Sequence, residues 1–393
     1  MSAAFACRLS RPGVVCSLGD DLETIGQALF DGERGLTSSD AFTPGHPLPL
    51  GRVTGELPDD SQWPKDHRSR NNRLLALALK RLESEIEPLL KHVARDRIGV
   101  VIGTSTSGIG ETEQALAVSG REGALPETFA YARQELGAPA RFVAERLDIA
   151  GPCYALSTAC SSSARALASA RRLLKSGQCD AVIAGGADSL CRLTVNGFIS
   201  LEAVSDKPCL PFSRHRDGIN LGEAAALFVI TRETGGIQLA GVGESVDAHH
   251  ISAPRPDGSG AADAMRQALA MAGRDPAEID YLNLHGTGTR LNDSMEAAAV
   301  ATLFATPPGC SSTKALTGHT LGAAGALEAA FCWLALDQGR LPRHVFDGEH
   351  DPEIASLPLA TTSAAPARRL RHALSNSFAF GGNNASLLLS RTE

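Results

Sequence analysis

Apolar positions along the chain form short continuous runs that alternate with segments of helical spacing. Residues 97–104 (RIGVVIGT) and 180–188 (DAVIAGGAD) are mostly apolar and end in glycine or small polar residues, which is typical of buried strands. Residues 72–90 and 162–175 repeat apolar side chains every three to four positions, so we predict helices there. Strands that alternate with helices and end in glycine-rich turns indicate an α/β fold with a largely parallel sheet.

The pattern divides the chain near residues 231–236. A predicted strand closes the first part at 223–233 (EAAALFVITRE), and another opens the second part at 237–248 (IQLAGVGESVDA). We therefore expect two topologically similar halves, 1–235 and 236–393. Segments rich in Pro, Asp, Ser, His or Gly are predicted to be surface loops, and they cover residues 37–66, 249–260 and 340–370.

Composition excludes several classes of protein. With 393 residues, 43% of them hydrophobic, the chain is too long for one simple core. The formal charge is 37 minus 44, or −7, with no basic footprint of a nucleic-acid binder. Charged residues and Pro12 interrupt the apolar start, and no run reaches the roughly 18 apolar residues of a membrane span. We expect a cytoplasmic protein that binds neither nucleic acid nor membrane.

One of the nine cysteines has a reactive context. The cysteines are irregularly spaced and contain no C-x-x-C pair, so neither a zinc site nor a disulfide framework is predicted. Cys160, in STACSSS, lies where a predicted strand stops and a predicted helix of small residues begins. Unpaired backbone N–H groups at a helix N-terminus favour an anion, so we expect a lowered thiol pKa and a nucleophile. The alternative is a buried cysteine with only a structural role.

Three polar residues in the second half are candidate partners. His285, in LHGTGTRLND, follows a predicted strand and should project from its carboxyl end, where α/β folds place their sites. Lys314 and His319 flank a turn in STKALTGHTLGAAG, and Glu328 in the following helix is the predicted anionic partner of the lysine. Each residue could instead be a satisfied structural group.

A fourth segment, LSNSFAFGGNN (374–384), places Phe378 and Phe380 next to a Gly-Gly pair. Two aromatic residues at the end of a strand before glycines indicate a loop that can move, although both side chains could simply fill the core. None of the four segments decides the function by itself.

Together and in this order, S-T-A-C-S-S, H-G-T-G-T, K-x-x-x-G-H-x-L-G-A-A-G and N-S-F-x-F-G-G resemble the β-ketoacyl-acyl carrier protein synthases of the elongating type. Further similar segments are GVVCSLG (13–19), GTSTSGI (103–109) and FSRHRDGINLGEAAALFV (212–229). The resemblance implies a thiolase-like fold, α/β with two similar halves stacked in five layers (αβαβα). It also implies a homodimer or a heterodimer with a related ketosynthase chain.

The resemblance assigns a role to each motif. Cys160 matches the acyl-accepting nucleophile, and His285 and His319 match the two histidines that serve malonyl decarboxylation. Lys314, paired with Glu328, is expected to orient His319.

The same resemblance identifies residues around the reacting groups. Phe380 matches the residue that gates the acyl pocket, and its N–H is expected to form an oxyanion hole with that of Cys160. Phe378 is expected beside the substrate, and Thr287 and Thr289 match threonines that bind the pantetheine arm. The substrates carry 4′-phosphopantetheine on acyl carrier protein, and no metal or redox cofactor is expected.

Two further sets of residues are predicted on weaker signals. The basic stretch 65–73 suggests docking of acyl carrier protein, and a solvated helix start is the alternative; the candidates are Arg68, Arg70 and Arg73. A structural ion-binding cluster of some family members is matched by Asn283, Glu328, Ser375 and Asn376.

The sequence leaves the pathway open between fatty acid and polyene or polyketide synthesis. Departures from the family pattern, such as Ala379 in place of a glycine, bear on the pathway more than on the reaction, and a specialised enzyme is one of the alternatives. A non-catalytic chain-length partner would typically lose the nucleophile, which is retained here. Thiolase chemistry would use a second cysteine near the C-terminus, and a starter-type synthase would carry Asn in place of the second histidine.

Overall fold

A computed structural model describes residues 5–362 and 369–392. Its strands are β1 (Arg8–Leu9), β2 (Gly13–Val15), β3 (Thr37–Ser39), β4 (Leu48–Leu50), β5 (Ile98–Gly103), β6 (Cys153–Leu156), β7 (Ala181–Asp188), β8 (Ala224–Thr231), β9 (Gly236–Val246), β10 (Tyr281–Asn283), β11 (Gly309–Ser311), β12 (His372–Ala379) and β13 (Asn383–Thr392).

The α-helices lie between and after these strands. They are α1 (Leu22–Asp31), α2 (Arg70–Arg81), α3 (Glu83–His92), α4 (Ile109–Glu122), α5 (Ala138–Arg146), α6 (Ser162–Lys175), α7 (Arg192–Ser200), α8 (Ser259–Ala272), α9 (Arg290–Leu303), α10 (Lys314–Thr317) and α11 (Ala324–Gln338). Within residues 5–362 and 369–392, none of the helices has both the length and the apolar character needed to cross a bilayer.

The two halves have the same strand order. The first half runs β6-β5-β7-β8-β1 and the second β11-β10-β12-β13-β9, so each follows the order third-second-fourth-fifth-first. In each half the first three strands of that order are parallel, and the fourth is antiparallel to them. The short β1 pairs antiparallel with both β8 and β9 and joins the halves into one 11-stranded sheet. The predicted internal similarity is confirmed.

The sheet and helices form five layers. Helices α6 and α11 contact strands of both halves and form the central layer. Helices α2 and α5 cover the outer face of the first half, and α8 packs with α9 on the outer face of the second. One apolar core lies around the central helices, and a separate core lies under each outer layer. The predicted αβαβα arrangement is confirmed.

Glycine and serine bring the central helices deep into the protein. A Cβ on Gly103, at the end of β5, would lie 2.3 Å from the backbone nitrogen of Ser163, so only glycine lets the start of α6 approach the sheet this closely. A Cβ on Gly325 would lie 2.7 Å from Ala164 in the same way. The hydroxyl of Ser163 also accepts a hydrogen bond from the N–H of Ala326 at 2.9 Å. The first turn of α6 is therefore fixed between the halves.

Most predicted elements are confirmed. Helix α6 has the predicted bounds, β5 and β7 occupy the predicted strands, and β8 and β9 flank the predicted break. The described part of 340–370 has neither helix nor strand, and 249–260 is a loop until α8 begins at Ser259.

Two predictions were wrong in detail. The segment 72–90 is two helices, α2 and α3, separated at Leu82. The apolar positions keep helical spacing through Leu82, so periodicity could not reveal the break. The segment 37–66 is not all loop, because β3 and β4 pair antiparallel within it.

Candidate active site

Cys160 lies in a tight connection between β6 and α6. Its side chain is buried, and the preceding Ala159 has a φ of 53°, in the left-handed region that costs a non-glycine residue about 1–2 kcal/mol. The N–H of Thr158 donates to the Ser162 hydroxyl at 2.9 Å and closes the turn. This backbone places the sulfur directly before the helix, as the sequence predicted.

The expected lowering of the thiol pKa was wrong. Burial raises the pKa of Cys160 to about 11. The charge of Lys314 opposes this rise, as do the backbone N–H groups of Phe380 and of Cys160 itself. The favourable electrostatics are therefore present, but desolvation of a fully buried thiolate outweighs them. The two backbone N–H groups are those predicted to form the oxyanion hole.

The three predicted reactive residues converge although they are far apart in the chain. His319 Nε2 lies 3.0 Å from Cys160 Sγ. The ring centroids of His285 and His319 are 5.4 Å apart, and the two ring planes are nearly perpendicular, at 86°. One sulfur and one nitrogen from each ring all lie within 4.8 Å of one another. Both histidines are 1% exposed, so the cluster is shielded from bulk water.

His285 is held by charged groups on two sides. It follows β10, and Glu296 of α9 accepts the N–H groups of His285 and Gly286, both at 2.8 Å. Lys314 Nζ lies 3.3 Å from His285 Nδ1 and donates to the His285 carbonyl at 2.6 Å. The same ammonium is paired with Glu328, as predicted. The prediction that Lys314 orients His319 was wrong, because its contacts are with His285.

His319 is held by the backbone instead. The N–H of Leu321 donates to His319 Nδ1 at 3.1 Å. Leu321 has a φ of 52°, so this hydrogen bond depends on a residue in a left-handed conformation. The N–H of His319 itself donates to the Asn220 carbonyl at 2.7 Å.

These contacts fix the form of both imidazoles. Each Nδ1 faces a donor, the Lys314 ammonium in one case and the Leu321 N–H in the other. In a neutral ring the proton is then on Nε2. Burial and the charge of Lys314 both lower the pKa of each histidine well below its usual value, and for His285 the neighbouring His319 contributes as well. At neutral pH the site presents two neutral Nε2–H donors.

The same proton positions bear on metal binding. A thiol and two imidazoles this close could hold an ion such as zinc. A metal requires a bare lone pair, however, and the donors at both Nδ1 atoms leave Nε2 protonated. The cluster is therefore arranged to donate hydrogen bonds.

A cavity of about 490 Å³ connects this cluster to the surface. The three reactive residues, both predicted threonines and both predicted phenylalanines contribute to its wall. The hydroxyls of Thr287 and Thr289 are 2.9 Å apart. The cavity is also lined by Phe198, Leu201, Ile219, Asp247, Arg290 and Leu291.

Aromatic side chains lie across the cavity from the histidines. The ring of Phe380 is partly exposed, and its centroid lies 5.6 Å from the ring centroid of Phe198 on α7. The N–H of Gly381 donates to the Ile251 carbonyl at 2.7 Å, so the loop after β12 is joined to the loop before α8. Phe378 is buried, and its ring centroid lies 6.1 Å from that of His285.

Three contributors were missed from the sequence. Glu296 and Leu321 act on the backbone or ring of the two histidines, and Phe198 faces the predicted gate. A lone glutamate among the apolar residues of α9 was a possible signal for Glu296. No sequence signal identifies Leu321 or Phe198, because their roles depend on a backbone angle and on packing between distant segments.

The three arginines predicted to dock a carrier are bound within the fold. Arg68 donates to the Trp63 carbonyl, and Arg73 donates to two carbonyls of the preceding loop. Arg70 pairs with the buried Glu223. These contacts explain the residues structurally, and their role in docking stays a prediction.

The predicted ion-binding cluster has oxygen atoms to offer. Asn283 Oδ1, Glu328 Oε2 and Ser375 Oγ are buried without a hydrogen-bond partner in the described residues. Asn283 and Ser375 are opposite each other in the β10–β12 register. The amide of Asn376 is used elsewhere, by Glu296 and Ser386. Oxygen atoms are the ligands that small hard cations prefer, and a bound ion at these residues stays a prediction.

Comparison with known proteins identifies the family. The family descriptions "Beta-ketoacyl synthase, N-terminal domain" and "Beta-ketoacyl synthase, C-terminal domain" match residues 13–235 and 237–346. Nodulation protein E of Rhizobium meliloti is 38% identical over 74% of this chain and 75% of its own. The mitochondrial 3-oxoacyl-[acyl-carrier-protein] synthase of Arabidopsis thaliana is 33% identical over 96% of this chain and 91% of its own.

A solved structure extends the comparison to three dimensions. The complex of the ketosynthase ApeO with its chain length factor ApeC from Xenorhabdus doucetiae matches with a TM-score of 0.94 and 45% identity. The match covers 99% of this chain and 98% of the matched chain in that complex. The chain belongs to the β-ketoacyl synthase family, the condensing acyltransferases with a thiolase-like fold.

Proposed function

We propose that this enzyme joins a Cys160-bound acyl group to a malonyl thioester, with loss of carbon dioxide, and releases a β-ketoacyl thioester. The observation that supports this most directly is the convergence of one thiol and two imidazoles on a single cavity. The complete set of reacting groups disfavours a non-catalytic chain-length partner.

In the first step, the sulfur of Cys160 attacks the carbonyl carbon of an acyl thioester. Negative charge then develops on the carbonyl oxygen, where the N–H groups of Cys160 and Phe380 can receive it. One preorganised donor of this kind contributes about 3 kcal/mol. The proton of the Cys160 thiol passes to the carrier sulfur, which leaves as a thiol, and the acyl group remains on the enzyme.

In the second step, a malonyl thioester replaces the departed carrier in the same cavity. Breaking its carbon–carboxylate bond releases carbon dioxide and leaves an enolate. The Nε2–H groups of His285 and His319 donate to the enolate oxygen. The carbanion attacks the acyl-Cys160 carbonyl, a carbon–carbon bond forms, and the cysteine sulfur leaves. The two neutral donors suit this step because they stabilise an anion without protonating its carbon prematurely.

The cavity suits a long, flexible substrate arm. The reacting sulfur is buried, so the acyl group must be delivered through a channel, and Thr287 and Thr289 offer hydroxyls along the wall. We infer that the arm is the phosphopantetheine of an acyl carrier protein. We expect both steps to run without a redox cofactor.

We also infer a second subunit of the same fold, either a copy of this chain or a related ketosynthase chain. Strand β6 lies at the end of the sheet and is hydrogen-bonded only to β5 among the described strands. Large exposed apolar side chains occur on α4 and the segment after it, namely Leu116, Leu125, Tyr131 and Leu136. An unpaired edge with exposed apolar surface favours association. The ApeO–ApeC complex provides a precedent.

Intact-protein mass spectrometry tests the nucleophile. After incubation with an acyl carrier thioester, the native enzyme should gain one acyl group, and Cys160→Ala should gain none. Cys179→Ala is the matched control, because Cys179 is also a buried cysteine but does not line the cavity. An undiminished adduct on Cys160→Ala would falsify the assignment.

A further inference from the structure

A buried carboxylate lies beyond the reacting residues and contacts segments of both halves. Asp188 ends β7 and is fully buried. Its oxygens accept hydrogen bonds from the loop after β5, from Thr104 Oγ1 at 2.7 Å, Ser105 N at 2.7 Å, Thr106 N at 2.9 Å and Thr106 Oγ1 at 2.9 Å. A further donor comes from the other half, where Gly322 N lies 2.6 Å from Asp188 Oδ2.

We propose that Asp188 is a positioning residue that sets the proton position of His319 through the Leu321–Gly322 backbone. The proposal rests on the role given above to His319. Asp188 does not line the cavity and is not assigned to any step of the reaction.

Hydrogen bonds from two adjacent backbone N–H groups connect Asp188 to His319. Asp188 holds the N–H of Gly322, and the N–H of the adjacent Leu321 donates to His319 Nδ1 at 3.1 Å. The Nε2 of that ring lies 3.0 Å from Cys160 Sγ. Because adjacent peptide units share one Cα, fixing the second N–H restricts the direction of the first.

Leu321 needs an external constraint. Its φ of 52° is a left-handed conformation that costs a leucine about 1–2 kcal/mol, and it persists only where its surroundings impose it. Asp188 supplies such a constraint immediately after the strained residue. If the bond to Gly322 is lost, Leu321 can relax, and its N–H then turns away from the imidazole.

The chemistry of the site requires a carboxylate at position 188. Five donor groups point at its two oxygens, and an ionised carboxylate presents only acceptors to them. Burial raises the pKa of Asp188, and these donors act in the opposite direction. An asparagine has the same shape but directs its own N–H groups at some of these donors. Asp188→Asn therefore tests the hydrogen bonds at almost constant volume.

The decisive measurement is the proton position on His319, read by two-bond proton–nitrogen correlation NMR on protein labelled with ¹⁵N-histidine. The signals are assigned with His319→Ala. In the native enzyme, His319 should have a bare Nδ1 and a protonated Nε2. In Asp188→Asn, we expect this single form to be lost. We also expect decarboxylation of malonyl carrier protein to slow roughly tenfold or more, with a smaller change in KM.

Asp180→Asn is the matched control. Asp180 immediately precedes β7 at its other end and is paired with Arg97 and Arg232 near the surface. The same substitution there removes ion pairs without reaching His319, so the histidine spectrum should stay native.

A second variant, Gly322→Ala, disturbs the same hydrogen bond at its donor residue. A Cβ on Gly322 would lie 2.7 Å from Asp188 Oδ2, so Gly322→Ala should displace that contact and change the His319 signals in the same way. It also provides the test if Asp188→Asn does not fold. A His319 spectrum that stays native in the folded variants would overturn the proposal. The NMR readout is independent of turnover, so this failure is distinguishable from a failure of the proposed condensation.

Discussion

The two histidines of the active site reach the same chemical state by different means. His285 has its Nδ1 against a buried ammonium, Lys314, which is paired with Glu328. His319 has its Nδ1 against an uncharged backbone N–H, held by a residue in a left-handed conformation. One donor is fixed by electrostatics and the other by backbone geometry. The two should therefore respond differently to charge removal, to pH and to changes in backbone preference.

Removing the ammonium should have the largest effect and should act through His285. Lys314→Met leaves the Glu328 carboxylate buried and unpaired, which costs about 3–5 kcal/mol of unfolding free energy. His285 also loses the donor at Nδ1, so malonyl decarboxylation should fall about 100-fold. Chemical denaturation and carbon dioxide release measure the two effects.

A double variant separates those two consequences. Lys314→Met combined with Glu328→Leu removes both buried charges and should recover most of the lost stability. It cannot restore the donor at His285 Nδ1, so decarboxylation should stay low. If activity recovers together with stability, the ammonium serves only the fold.

Lowering the pH should have an effect of intermediate size on decarboxylation, and the pH at which the decline begins should depend on the charge of Lys314. Burial and Lys314 lower the pKa of both histidines, so they stay neutral well below pH 6.5. Decarboxylation should therefore stay level as pH falls from 8 to about 6.5 and decline only at lower pH. Stability follows the same sign, because the unfolded chain takes up protons on these histidines as the pH falls below about 6.5 while the buried imidazoles stay neutral. In Lys314→Met the decline should begin at higher pH, and a native-like profile would contradict the role of the charge.

The smallest effect should appear at Leu321. Leu321→Ala and Leu321→Gly lose the same buried side chain, but alanine keeps the left-handed penalty and glycine does not. We expect the glycine variant to be more stable than the alanine variant by about 1 kcal/mol, the reverse of the usual order. Thermal unfolding of the two proteins decides this. Equal stability, or a more stable alanine variant, would mean that the backbone at this position is not under strain.

The sequence predicted the fold and the reacting residues well, because both leave local signals. The helix at 162–175 has regular spacing, and the glycine-rich motifs around the reacting residues are contiguous. The errors about the active site concern contacts between segments that are separate in the chain. Lys314 contacts His285, which lies 29 residues earlier in the same half, and the burial that raises the pKa of Cys160 arises when the two halves close on each other. Asp188 was missed for the same reason, because its donors come from two other segments.

The high thiol pKa of Cys160 has a consequence for durability. Because burial raises the pKa of this thiol well above its usual value, only a very small fraction is ionised at pH 7. Peroxide and electrophilic metabolites react with the ionised sulfur, and they must also reach it through the cavity. We therefore expect the idle enzyme to resist sulfenic acid formation. Its vulnerability should rise about tenfold with each unit of alkalinity, until the sulfur is mostly ionised.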